Sequence, residues 1–72
     1  MSFQAYLDNV EAKTGKSAAD LKALAIEKGL ADAMGLAPGV KATAIVDWLK
    51  SDFDLGHGHA MAIVAYIKGK RS

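Results

Sequence analysis

Ile45-Val46-Asp47-Trp48-Leu49-Lys50-Ser51-Asp52-Phe53-Asp54-Leu55-Gly56-His57-Gly58-His59-Ala60-Met61-Ala62-Ile63-Val64-Ala65-Tyr66-Ile67 carries two apolar stripes of helical period with a turn between them. Ile45, Trp48, Leu49 and Phe53 fall on one side of an α-helix, with Val46 beside them. Ala60, Ile63, Val64 and Ile67 repeat at i, i+3, i+4 and i+7, a second stripe. Asp54-Leu55-Gly56 closes the first helix, and the second opens near Gly56 or Gly58. Gly69 ends it. The expected spans are 41–53 and 57–68. Trp48 is the largest side chain of the chain and the expected centre of the core.

The same period holds toward the amino end. Ser2 is placed to cap a helix whose stripe is Phe3, Tyr6, Leu7 and Val10, with Asp8, Glu11 and Lys13 on the other face. Gly15 stops it. Ser17-Ala18-Ala19-Asp20 is a capping box with Asp in the acidic position. It opens a helix that turns Leu21, Leu24 and Ala25 inward until Gly29. These spans are 3–14 and 17–28. Residues 30–39 read as a connector anchored by Leu30 and Leu36. Leu30 to Met34 is long enough for one helical turn, stopped by Gly35, and Ala37-Pro38-Gly39 is a turn. No segment alternates with period two, so no strand is expected. The expected fold is all-α: one domain over 1–72, a compact bundle of four short helices. Alanines at 23, 25, 42, 44, 62 and 65 let those helices approach closely.

Composition bounds what such a bundle can do. The chain is 51% apolar, but 14 of its 72 residues are alanine and only 23 are large and apolar. That supplies one small core and no deep cavity, so neither a buried cofactor nor a drug-sized pocket is expected. There is no cysteine, which excludes disulfides, thiolate metal sites and cysteine nucleophiles. The formal net charge is +1, too small for a bulk pull toward nucleic acid or membrane. Lys68, Lys70 and Arg71 form the only basic run, read as complementing a helix end. No stretch approaches the about 18 apolar residues of a membrane span. Met1-Ser2-Phe3-Gln4 lacks the basic start and apolar block of a signal peptide. A cytoplasmic location is the expectation.

Several segments are distinctive together: Met1-Ser2-Phe3-Gln4-Ala5-Tyr6-Leu7, Glu11-Ala12-Lys13-Thr14-Gly15-Lys16, Gly39-Val40-Lys41, Trp48-Leu49-Lys50 followed by Asp52-Phe53, and Leu55-Gly56-His57-Gly58-His59-Ala60-Met61-Ala62-Ile63. With these, nearly the whole chain resembles a family of small bacterial proteins known as domain of unknown function 4287. The connector at 30–37 is longer than in that pattern. The resemblance implies a small bacterial helical domain. It implies no activity, and it carries no catalytic residue onto this chain.

The turn Gly56-His57-Gly58-His59 admits three readings. In the first it binds a phosphate backbone. Glycines at i and i+2 where a helix starts expose N–H groups that favour anions. The spacing Gly56-x-Gly58-x-x-x-Ala62 also matches the helix-hairpin-helix motif, with His57 where that motif has an apolar residue. Lys41, Lys50, Lys68, Lys70 and Arg71 are the available cations, few for phosphate neutralisation. In the second reading His57 and His59 join Asp52 or Asp54 around a metal ion, although i, i+2 spacing splays two side chains apart on a helix. In the third the turn is structural. The glycines supply positive φ. One imidazole bonds a helix end or an Asp of the third helix, and the other packs on Trp48 or Tyr66 or faces water.

Catalysis has little to work with. His57 or His59 with Asp52 or Asp54 is the only acid-base pair in reach, and Ser51 late in a helix is expected to face solvent. The chain is therefore expected not to be an enzyme. The competing class is protein–protein contact. Ile26, Leu36, Met61 and Tyr66 lie off the inward stripes. If Met61, Tyr66 and Leu36 cluster, they form an adhesive patch for a partner or a second copy. The sequence reading is a non-enzymatic binding or adaptor module that acts through protein contacts, self-association included, with nucleic-acid backbone binding as the alternative. Its candidate site is Gly56, His57, Gly58 and His59, with Lys41 and Lys50 alongside. No cofactor, metal or membrane is expected.

Overall fold

Each helix begins and ends where local chemistry allows. The Ser2 Oγ accepts the Ala5 N–H at 3.1 Å, so α1 runs over Phe3–Thr14. Gly15, at φ 74°, returns its N–H to the Glu11 carbonyl at 2.8 Å. Ser17 and Asp20 form the reciprocal capping box. The Ser17 Oγ accepts the Asp20 N–H at 3.1 Å, and the Asp20 Oδ2 accepts the Ser17 N–H at 3.2 Å. That box opens α2, Ala18–Glu27. The remaining helices are α3, Ala42–Phe53, and α4, His57–Ile67. The computed structural model describes residues 2–70. Arg71, part of the expected basic run, lies outside the described residues.

Helices α2 and α4 share one ending. After α2, Leu30 donates to the Ala25 carbonyl at 2.9 Å and Gly29 to Ile26 at 3.0 Å. After α4, Lys70 donates to Ala65 at 2.9 Å and Gly69 to Tyr66 at 3.0 Å. In both, the glycine takes positive φ, which satisfies carbonyls the helix would otherwise leave open.

The connector corrects the sequence reading. Leu30 to Met34 does not form a helical turn. Ala31–Asp32 (β1) and Gly35–Leu36 (β2) pair antiparallel, Ala31 opposite Leu36 and Asp32 opposite Gly35. The Asp32 Oδ1 accepts the Met34 N–H at 2.8 Å, an Asx turn that holds the tip. Gly35 sits at φ 132°, with the Lys68 Cα 3.7 Å from where a Cβ would stand. Two-residue strands contain no alternation to detect, so period two was silent here. The anchors Leu30 and Leu36 are half-buried and pack on the core as expected. Ala37-Pro38-Gly39 is a turn closed by Val40 donating to the Ala37 carbonyl at 3.0 Å, with Gly39 at φ 81°.

Helix α4 lies at the centre and packs against α1, α2 and α3. Its sequence is apolar on most sides, as a central helix must be. The innermost side chains are Val10, Leu21, Ile45, Leu49, Ile63, Val64 and Ile67. Trp48 is not the centre of the core. It is half-buried, lies edge-on to Phe53 at 5.7 Å, and has the Lys28 ammonium 5.8 Å from its ring centroid. An indole is too large to be enclosed by so few large neighbours, so it roofs the core instead. Phe3, Tyr6, Leu24 and Phe53, expected inside, also pack on the core from its margin. Leu55, read only as part of a turn, is buried.

Candidate functional site

The α3–α4 turn places its residues as follows. Asp54 takes the left-handed conformation at φ 56° and donates its N–H to the Leu49 carbonyl. This reverses the chain and drops Leu55 into the core. Gly56 is the N-cap of α4 in extended geometry, φ −70° and ψ 164°. His57, Gly58 and His59 form the first turn. The expectation that the glycines supply positive φ is therefore corrected: Asp54 supplies it, and neither Gly56 nor Gly58 does. Space does not demand them either. A Cβ on Gly56 would meet nothing within 4 Å, and one on Gly58 would stand 3.7 Å from the Tyr6 Cε1, an ordinary contact.

The two imidazoles differ. His59 is half-buried and meets the Tyr6 ring edge-on, with centroids 5.1 Å apart and planes at 70°. Its partner is thus on α1, where the sequence reading had offered Trp48 or Tyr66. His57 is exposed. No side chain caps the amino end of α4, and no acidic residue lies in its first turn. Lys50 stands in the last turn of α3, close in sequence to this end. Lys41 does not join it. Lys41 is the N-cap of α3, and the 12 residues of that helix separate it from the turn by about 18 Å. Ser51, Asp52 and Asp54 are exposed. Among the described residues no three His, Asp or Glu side chains gather closely enough to share a metal ion.

A second feature was not legible as a site in the sequence. A groove of about 360 Å³ runs between α1 and α4, lined by Phe3, Tyr6, Gly58, Met61, Ala62, Ala65 and Lys70. Gly58, Ala62 and Ala65 form its floor along one face of α4. Phe3 and Tyr6 supply aromatic surface from α1. Met61 is 40% exposed. The Lys70 ammonium lies 5.2 Å from the Phe3 ring centroid. The turn and the groove meet at Gly58. The conditional patch of Met61, Tyr66 and Leu36 does not form. Tyr66 lines a different depression, with Gln4, Leu7, Asp8, Glu11 and Ser17, and Leu36 packs on the core within the hairpin. The signal that could have found the groove is the i, i+4, i+7 run of small residues Gly58, Ala62 and Ala65. A helix with no bulk on one face leaves a channel beside whatever packs next to it.

The family model described as Domain of unknown function (DUF4287) matches residues 2–69. No curated protein and no solved structure matches the chain.

Proposed function

The chain belongs to the DUF4287 family, and on that premise we propose that it is a non-enzymatic binding module that takes an apolar segment of a partner protein into the α1–α4 groove. The observation that carries the reading is the groove itself: a floor of Gly58, Ala62 and Ala65 beside the aromatic rings of Phe3 and Tyr6 and the exposed thioether of Met61. Small floor residues let a partner's side chains reach the helix backbone. Aromatic and methionine surfaces accept varied apolar shapes. A depression of this kind on a small helical domain suits side-chain anchoring better than the enclosure of a substrate. A peptide-display selection tests it. Sequences enriched on the protein should carry closely spaced apolar residues and lose binding to a Met61→Glu variant, whose charge stands in the groove. Enrichment that is indifferent to Met61→Glu, or no enrichment, sinks the proposal.

Nucleic-acid backbone binding at the α3–α4 turn stands as the second reading. It is favoured by one observation: neither φ nor space requires Gly56 and Gly58 to be glycine. Glycine there shortens the approach of a ligand to amides that no side chain caps. An amide NMR titration with a short DNA duplex, at low and then physiological salt, decides it. Shifts centred on Gly56 to His59 and Lys50 that fade as salt rises support phosphate contact. Unmoved amides at low salt rule it out.

A further inference from the structure

We infer that the α1–α4 groove accepts an acidic amphipathic helix from a different protein. This rests on the groove reading above and adds the partner's chemistry. Gly58 to Ala65 covers about 10 Å of helix axis, two turns, which suits anchors at i and i+4 of a docked helix. The groove's charge is one-sided. At one end stands the amino end of α4, with no acid in its first turn and no side chain on its N–H groups, a partial positive charge. Exposed His57 lies beside it. Toward the other end stands Lys70, the one charged side chain of the lining; no carboxylate lines the groove. The acids of α1 face away. Asp8 and Glu11 line the depression on its other flank.

A second copy of the chain fits this charge pattern poorly. Two α4 helices packed antiparallel about a twofold axis would set Lys70 of one copy against the amino end of α4 in the other, positive against positive. A helix with an apolar stripe between carboxylates meets apolar wall with apolar anchor and both positive ends with negative charge.

The test titrates the labelled full chain with two synthetic helical peptides. They share Leu and Phe anchors at i and i+4, and differ in having Glu or Lys at every flanking position. The Glu peptide is expected to shift the amides of Tyr6, Gly58, Met61, Ala65 and Lys70. It should bind about tenfold more tightly than its Lys twin at low salt, the effect of two rim ion pairs. A Lys70→Glu variant should erase most of that preference. Equal binding of both peptides in the groove overturns the charge inference and leaves the groove reading intact. Binding of neither overturns both. Sedimentation of the chain alone is the independent check. A dimer that Met61→Glu dissociates, with helicity by circular dichroism unchanged, overturns the inference in favour of a second copy.

Discussion

At the scale of single residues, side-chain size and backbone angle separate positions that look alike in the sequence. Glycines 35 and 58 are an instructive pair. Gly35 is held at φ 132° against the last turn of α4, a conformation that L side chains rarely adopt. Gly35→Ala is expected to cost about 1–3 kcal/mol, read as a lower urea midpoint. A loss too small to measure would mean the hairpin frays freely. Gly58 lies inside α4 with helical geometry and room for a methyl group. Gly58→Ala should therefore stabilise by about 0.5–1 kcal/mol. The same methyl group narrows the groove floor, so tighter folding with weaker peptide binding is the expected combination. A destabilised Gly58→Ala protein would show that the α1 contact has no slack. Trp48 and Ile63 give a second contrast. Ile63 is fully buried, and Ile63→Ala should cost about 2–5 kcal/mol by transfer and cavity terms. Trp48 roofs the core, and its Nε1 is buried with no hydrogen-bond partner. Trp48→Phe removes that unpaired donor along with some contact area, so its cost should fall well below that of Ile63→Ala. Equal losses in urea unfolding would restore Trp48 to the centre of the core.

Helix ends carry most of the local information at the scale of elements. Ser2, Ser17 with Asp20, Gly15, Gly29 and Gly69 all stop or start helices where their side chains or φ freedom allow. The capping box of α2 is exposed, so its contribution is local and additive. Ser17→Ala should cost about 1 kcal/mol, and a Ser17→Ala, Asp20→Ala double variant little more than the larger single loss, because each bond orders the other. Simple addition in thermal unfolding would deny that reciprocity. The connector shows where element-level reading stops. Ala31–Asp32 and Gly35–Leu36 have no period, and their pairing depends on the Asx turn at Asp32 and on α4 behind Gly35. The turn after α3 shows the same limit. Its reversal was expected at glycine and is made by Asp54, whose short polar side chain tolerates the left-handed region.

For the whole molecule the central position of α4 sets the behaviour. It packs against every other helix, so none of them keeps its core face covered if α4 leaves. Unfolding should therefore be a single cooperative step. Trp48 fluorescence, reporting the α3 roof, and helical circular dichroism should give superimposable urea transitions. Separated midpoints would mean that one helix detaches on its own. The groove belongs to this scale too. Among the described residues no helix is long and apolar enough to cross a membrane, and the functional reading rests on what α1 leaves uncovered beside α4.

The chain by itself determined the four helices, their bounds to within a residue or so, and the caps that end them, because these follow from i, i+3, i+4 spacing and from groups adjacent in sequence. It also marked the turn at Gly56 to His59 as unusual. Only the tertiary structure decided which apolar residues are innermost, that Tyr6 meets His59, that Lys41 stands at the far end of α3 from the turn, and that small residues of α4 face a channel. Each of these depends on the angle and depth at which one helix crosses another. Periodicity gives a helix its apolar face, but the neighbour that covers the face, and the part it leaves bare, are set by packing between segments far apart in the chain.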